Sequence, residues 1–260
     1  MSRGNDLLIP GDFALRAIAR CRSFRHKKPM MIDREHPFTS DMPVILVGAS
    51  PVPLAAQLDL LPSHWPVIAA DGGAAAVLNM GRTPDLILGD MDSLADNVVI
   101  PNDVPVITLT GQDDTDFEKA LSRLSTPLII GLGFLEARFD HSLAAIHALM
   151  CVDHDRPIML LGNTDIVLRV KGNFSATLPI GSRFSVWPLG TQSFTSSTGL
   201  KWPLDGLTLA PGLLIGTSNE VSEEMVTITE ADGDGYAVIV PVSLLPALLN
   251  ALQCAATGPI

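Results

Sequence analysis

Six short apolar runs follow one another through the first part of the chain, at residues 44–48, 67–70, 86–88, 105–109, 128–130 and 158–161. None alternates apolar with polar residues, so each predicts a strand covered on both faces. Between them, residues 73–80, 115–124 and 140–150 carry helical spacing, and Thr115-x-x-Glu118 is a capping-box pattern at the start of the second helix. Strands alternating with helices leave few architectures open. The pattern predicts a layered α/β domain with a largely parallel sheet.

After about residue 164 the helical periodicity stops. Short β-type runs (IVLRV, SATLP, RFSVWP, MVTIT, YAVIV) are separated by Gly, Pro, Asn and Ser clusters. They predict an all-β sandwich of antiparallel strands. The expected organisation is a basic, poorly ordered extension over residues 1–41, an α/β domain over 42–163 and a β-sandwich over 164–260. Residues 243–256 are apolar without Lys or Arg, which suits a short helix docked on the protein better than one lying on a membrane. Asp232-Gly233-Asp234-Gly235 opens like a calcium loop, but Tyr236 takes the third ligand position and a hairpin turn is expected.

Composition narrows the function. Hydrophobic residues make up 47% of the 260 residues and charged ones 17%, enough apolar surface for a core. The net charge is −11, yet residues 1–41 hold eight Lys/Arg against five Asp/Glu, so residues 42–260 carry −14. Such acidity argues against binding modes that neutralise phosphates with surface Lys and Arg, and scarce aromatics with a single tyrosine argue against a base-stacking platform. No nucleic-acid partner is expected. No apolar run approaches the roughly 18 residues of a spanning helix, so no membrane partner is expected either. Cys21, Cys151 and Cys254 are widely spaced without a CxxC pair, which suits a reducing cytoplasm.

The acidic residues concentrate at the carboxyl ends of the expected strands. Asp71 ends the second, Asp90 and Asp92 follow the third, Asp113, Asp114 and Asp116 the fourth, and Asp140 the fifth. Ligands of open α/β sheets bind at that edge. Loop aspartates commonly cap helices or make turns, which accounts for Asp113 or Asp114 before the Thr115 helix. It does not account for one at each of four consecutive strand ends. Converging carboxylates repel unless a cation lies among them, and all-oxygen ligands select Mg²⁺ or Ca²⁺ over zinc.

Other chemistries lack their motifs. There is no GxxxxGK[ST] phosphate loop, and Gly131-Leu132-Gly133 begins a GxGxxG-like run that breaks at Glu136. Ser50 and Ser93 have no nucleophile-elbow context.

Four segments in register resemble the thiamine pyrophosphokinase family: Asp71-Gly72-Gly73-Ala74, then Pro84-Asp85-Leu86-Ile87-Leu88-Gly89-Asp90-Met91-Asp92-Ser93, then Asp113-x-Thr115-Asp116-Phe117-Glu118-Lys119, then Arg138-Phe139-Asp140-His141. The second half resembles the family's thiamine-binding domain through Gly199-Leu200-Lys201-Trp202-Pro203-Leu204 and Thr217-Ser218-Asn219-Glu220. The resemblance implies transfer of a pyrophosphoryl group from ATP to the hydroxyethyl oxygen of thiamine, with release of AMP, and a homodimer whose sites draw on both subunits.

On that resemblance, Asp71, Asp90, Asp92 and Asp116 are expected to hold Mg²⁺. Gln112, Lys119 and Arg138 are expected at the triphosphate, and Asp92 or Asp116 is a candidate to accept the alcohol proton. Asp140 and His141 are expected near the phosphates, although His141 serves equally well as a helix cap. Ser218 and Asn219 are expected to hydrogen-bond the pyrimidine, and Trp202 to pack on an aromatic ring of thiamine. For Trp202 the competing expectation is ordinary core, and for Lys119 a local ion pair on its helix. The chain departs from the family at Glu136-Ala137, where a Gly pair is usual, and at Ala145, where Asn is usual. Alternatives are a pyrophosphokinase for another heterocyclic alcohol such as a pterin, and a non-catalytic binder in which Glu136 repels phosphate.

Overall fold

A computed structural model of the chain describes residues 38–89, 99–109, 115–136, 138–152 and 156–257, with side chains described to residue 252. Among the described residues the first element is β1 (Phe38–Thr39), ahead of Met42. The α/β layer then runs β2 (Val44–Val47), α1 (Ala55–Leu58), β3 (Val67–Ala70), α2 (Gly73–Asn79), β4 (Leu86–Gly89), β5 (Val106–Thr108), α3 (Asp116–Arg123), β6 (Leu124–Ser125), β7 (Ile129–Leu132), α4 (Phe139–Cys151) and β8 (Ile158–Leu161). All six expected strands and all three expected helices are present.

Strand order across the parallel sheet is β8-β7-β2-β3-β4-β5. Val44 and Leu46 of β2 enter the core beneath α3 and α4, while Ile45 and Val47 enter the opposite core beneath α1 and α2. Both faces are thus covered and every residue of β2 is fully buried. The exception is β5. It lies at the sheet edge with Val106 42% exposed, so its apolar run does not report two covered faces. An edge strand has a neighbour on one side only.

The chain continues through β9 (Asp165–Val170), β10 (Phe174–Thr177), β11 (Arg183–Pro188), β12 (Gln192–Thr198), β13 (Thr208–Leu209), β14 (Gly216–Glu220), β15 (Met225–Gly233) and β16 (Tyr236–Pro241). Two sheets stack here, as a sandwich requires. One is a four-stranded sheet, β10-β15-β12-β13; the other, β14-β11-β16-β9, is the far end of the same ten-stranded sheet that contains the α/β strands. β8 and β9 pair antiparallel with Leu161 opposite Ile166, so backbone hydrogen bonding crosses residue 164 without a break. Phe174, Phe184, Phe194 and Tyr236 fill the space between the sheets. Phe194 and Tyr236 meet edge to face at 5.2 Å, and the Tyr236 hydroxyl donates to the Gly172 carbonyl at 3.2 Å. Burial pushes the Tyr236 phenol far above its ordinary value, so it remains a neutral donor.

Buried Arg169 of β9 ties the two parts together. Its guanidinium donates to the carbonyls of Leu149 and Val152, both at 2.9 Å, at the carboxyl end of α4. A cation there satisfies carbonyls that the helix cannot, and it opposes the helix dipole.

Asp232–Gly235 is not a hairpin within one sheet. β15 belongs to the four-stranded sheet and β16 to the ten-stranded one, so the turn is a corner between layers. Gly233 and Gly235 adopt φ of 154° and 98°, and the Asp234 carboxylate accepts from the Thr191 amide at 2.8 Å. After a short 3-10 turn, α5 (Leu245–Thr257) packs against β10 and buries Leu245 and Leu248.

Candidate functional site

The parallel strands β2, β3, β4, β5 and β7 all end on one edge. Chain order reverses direction between β2 and β7, which makes a switch point with a crevice beyond the strand ends. Asp71 lies directly past β3. It is 2% exposed, and its backbone sits at φ 44°, in the left-handed region that Asp and Asn tolerate better than other non-glycine residues. Its amide donates to the Leu88 carbonyl at 2.7 Å, which locks the turn onto β4. Its Oδ1 is buried and, among the described residues, has no hydrogen-bond partner. A buried, uncompensated carboxylate oxygen is costly, so its place at the crevice calls for a cation.

Glycines bring the chain close around Asp71. A Cβ on Gly89 would lie 2.8 Å from the Asp71 Cβ, and one on Gly73 would lie 2.0 Å from the Val47 carbonyl oxygen. The end of β4 therefore lies against the Asp71 turn. Asp90, Asp92, Gln112, Asp113 and Asp114 themselves lie outside the described residues.

On the neighbouring helix, Thr115 and Glu118 form the expected capping box. The Thr115 Oγ1 accepts from the Glu118 amide at 3.2 Å, and Glu118 Oε2 accepts from the Thr115 amide at 2.9 Å. This fixes the first turn of α3, which carries Asp116 and Lys119. Lys119 Nζ stands 3.3 Å from Asp116 Oδ1, and its side chain is 11% exposed against 43% for Asp116. The local ion pair expected for Lys119 therefore exists, and it leaves the more accessible partner, Asp116, facing solvent.

Arg138 and Asp140 sit at the start of α4, both exposed. The guanidinium donates to the two Asp140 carboxylate oxygens, from Nε at 3.1 Å and from Nη2 at 2.5 Å. That hydrogen bond holds the Asp140 carboxyl below its ordinary range and raises the Arg138 guanidinium. His141 is exposed in the next turn position, and the N-cap residue of α4 makes no side-chain capping bond.

Glu136 does not project as a bare charge. Its Oε1 accepts from the Asn163 amide at 2.6 Å, at the turn leaving β8, while Oε2 is buried with no partner among the described residues. The Gly131–Gly133 run serves packing rather than a dinucleotide. The Phe134 ring occupies the space that a Cβ on Gly131 or Gly48 would fill, and it lies 4.3 Å from the Phe117 ring of α3.

The second group of residues gathers around the β12–β13 connection and β14. Trp202 is 54% exposed, so it is not core. With Leu204, Leu209, Leu214, Ile215 and Asn219 it lines a pocket of about 160 Å³. Lys201 Nζ lies 5.0 Å above the Trp202 ring and 3.3 Å from both Glu220 carboxylate oxygens. Asn219 is 6% exposed and positions this loop. Its Oδ1 accepts from the Trp202 and Glu220 amides at 3.1 and 2.8 Å, and its Nδ2 donates to the Trp202 carbonyl at 2.7 Å. Its carbonyl oxygen is thus occupied by the backbone, and the second hydrogen of Nδ2 is the group with which it could still meet a ligand. Exposed Ser218 stands at φ 61°, with its amide bonded to Ser185 Oγ at 3.0 Å. The apolar pocket walls, Leu209, Leu214 and Ile215, were not expected as site residues; the Leu213-Leu214-Ile215 run after Pro211-Gly212, in a segment otherwise reading as loop, is the signal for them.

The two groups sit on well-separated strands of one sheet. From β14 to β3 the sheet order counts seven steps, a path along the sheet of roughly 34 Å at 4.7–4.9 Å per strand.

Family models match both regions. "Thiamin pyrophosphokinase, catalytic domain" matches residues 58–160, and "Thiamin pyrophosphokinase, vitamin B1 binding domain" matches residues 175–233. Among curated proteins, thiamin pyrophosphokinase 1 of Caenorhabditis elegans is 30% identical over 177 residues, 61% of this chain and 72% of that protein. Thiamine pyrophosphokinase 1 of Oryza sativa subsp. japonica is 33% identical over 202 residues, 64% of this chain and 75% of that protein. Among solved structures, yeast thiamin pyrophosphokinase superposes with a TM-score of 0.63 at 15% identity, covering 85% of this chain and 98% of that one. The Geobacillus thermodenitrificans thiamin pyrophosphokinase superposes with a TM-score of 0.61 at 22% identity, covering 77% and 97%. These structures share the fold, and the identity and coverage of the curated relatives, with both family models matched, place the chain in the thiamine pyrophosphokinase family.

Proposed function

We propose that this chain is an enzyme that transfers a pyrophosphoryl group from ATP to thiamine, giving thiamine diphosphate and AMP. The observation that carries the reading is Asp71: a buried carboxylate with an orphaned oxygen, held in a left-handed turn at the crevice of a sheet whose family shares this activity. Asp71 and Asp116, with Asp90 and Asp92 from the segment between β4 and β5, fit an all-oxygen Mg²⁺ site. Bound there, Mg²⁺ supplies charge neutralisation to the triphosphate.

The chain's own residues do the rest. Lys119 and Arg138 oppose phosphate charge, with Arg138 exchanging its Asp140 partner for the ligand, and Gln112 adds a neutral contact. The hydroxyethyl oxygen of thiamine attacks the β-phosphorus, and the bond from that phosphorus to the bridging oxygen of AMP breaks. The alcohol proton passes to a carboxylate, Asp92 or Asp116. Trp202 packs on a thiamine ring, Ser218 offers its hydroxyl, and Asn219 positions the loop that holds Trp202. The acidic body of the protein favours the cationic thiazolium.

Incubating the protein with ATP, Mg²⁺ and thiamine should yield AMP and thiamine diphosphate in equal amounts. Thiamine binding without AMP release would leave a non-catalytic binder and overturn the reading. The vitamin B1 binding match over residues 175–233 leaves a pterin acceptor without support.

The distance across the sheet supports a homodimer. Reacting atoms must approach to about 3–3.5 Å, whereas Asp71 and the Trp202 pocket of one chain are separated by seven strand steps, too far for a two-ring vitamin to bridge. A two-fold partner lets the Trp202 pocket of one subunit face the aspartates of the other. Co-folding Asp71→Asn with Trp202→Arg chains tests this. In a shared-site dimer the mixture should recover about a quarter of wild-type activity, because half the dimers are mixed and each keeps one intact site. No recovery would show that each chain builds its own site.

No helix among the described residues is long and apolar enough to cross a membrane. The widely spaced cysteines favour the reducing cytoplasm as the compartment.

A further inference from the structure

The structure assigns a second metal-ion site, of the zinc class, on the facing sides of α3 and α4: Cys151, His147 and Glu118. Residues four apart on a helix share a face, and Cys151 Sγ lies 3.3 Å from His147 Nε2. α3 packs against α4 and brings the Glu118 carboxylate up to this pair. All three ligand atoms then lie within 4.8 Å of one another. With Zn–S near 2.3 Å and Zn–N near 2.0–2.1 Å, a tetrahedral ion sets sulfur and nitrogen about 3.6 Å apart. The observed pair needs only a small adjustment to match.

The donor set chooses the metal. A thiolate, an imidazole and a carboxylate suit Zn²⁺ or Co²⁺ and not Mg²⁺, which takes oxygen ligands, so this site and the aspartate crevice select different ions. Three protein ligands leave a fourth position for water. The carboxylate is also oriented from behind. Glu118 Oε2 accepts from the Thr115 amide at 2.9 Å and from Thr115 Oγ1 at 3.0 Å, the kind of outer-shell support that holds metal ligands in place. Binding would fasten α3, which carries Asp116 and Lys119, to the middle of α4.

Metal binding here ionises Cys151, and the thiol proton leaves to solvent.

The test uses the reduced, chelator-treated full chain with CoCl₂, without nucleotide or thiamine. One equivalent of Co²⁺ should bind with a thiolate-to-cobalt charge-transfer band, and Zn²⁺, but not excess Mg²⁺, should displace it. Cys151→Ser should abolish the band. His147→Gln and Glu118→Gln should each weaken Zn²⁺ binding at least tenfold, by analogy with the loss of a metal-site partner. Absence of the band, or its survival in Cys151→Ser through Cys21 or Cys254, would overturn the site. Should Cys151→Ser lose its helical circular dichroism, unchanged Zn²⁺ affinity in folded His147→Gln would overturn it instead. The readout needs no substrate, so it stands apart from the reaction proposed above.

Discussion

Asp71→Asn is expected to lower turnover by on the order of 10³-fold while leaving the metal-free protein as stable as wild type or more so. The two halves of this expectation have separate physical causes. Asn keeps the shape of Asp and is the other residue that readily takes φ near 44°, so the turn between β3 and α2 survives. The substitution removes a negative charge whose Oδ1 is buried without a hydrogen-bond partner. Without a cation that charge opposes folding, so its removal should hold or raise the thermal midpoint measured in EDTA. With Mg²⁺ and ATP present the same charge is what the crevice needs, and a neutral amide cannot replace it. Steady-state assays and thermal melts, each with and without Mg²⁺, check both halves. Retained activity would remove Asp71 from the metal site, and a marked fall in the metal-free midpoint would show that Oδ1 has a stabilising partner.

Gly73→Ala should destabilise the protein by about 3 kcal/mol or more, a size reached when overpacking meets backbone rather than a movable side chain. The added Cβ would lie 2.0 Å from the Val47 carbonyl oxygen and 2.7 Å from its carbon. Neither atom can rotate away, so α2 must withdraw from β2, the central strand whose four residues are fully buried. Urea unfolding gives the shift directly from the midpoint at constant slope. A loss under about 0.5 kcal/mol would mean that the turn relaxes freely, since surface changes fall in that range. The same glycine contact sets the depth at which Asp71 sits. Any folded Gly73→Ala protein should therefore also lose activity, through displacement of Asp71 rather than removal of a ligand.

The α/β layer was legible because its strands are hydrophobic for a local reason. Val44–Val47 must satisfy two cores at once, so every position is apolar and the run stands out. The capping box at Thr115 and Glu118 was legible because it depends on residues three apart. β12 (QSFTSST) and β14 (GTSNE) were not, since Ser and Thr strands with few apolar positions read as loop. Pairing with β15 and β11, decided by neighbours remote in sequence, makes them strands. The Asp232–Gly235 turn shows the same limit. Its residues specify a tight reversal, but nothing local says that the two flanking strands join different sheets.

At the candidate site, residue type and order pointed to aspartates at strand ends, because carboxylates in turns after apolar runs are a pattern of adjacent residues. The roles of their neighbours depended on contacts across the chain. Asn219 reads as a ligand contact, and its oxygen also holds the Trp202 and Glu220 amides, a loop-positioning role the sequence does not announce. Glu136 reads as a charge opposed to phosphate, yet one of its oxygens holds the Asn163 amide. Trp202 reads as a ring contact with ordinary core as the competing expectation, and its exposure shows that it is not core.

By itself the sequence determined the alternation of apolar strands and helices, the change to β structure near residue 164 and the placement of acid at the strand ends. Each follows from periodicity or from residues a few positions apart. Only the tertiary structure decided that β8 and β9 fuse both halves into one ten-stranded sheet, that Asp71 is buried with an oxygen unpaired, and that the Trp202 pocket lies at the opposite end of that sheet. The reason is that burial and distance are properties of the packed chain, fixed by strand pairings between residues that no local pattern connects.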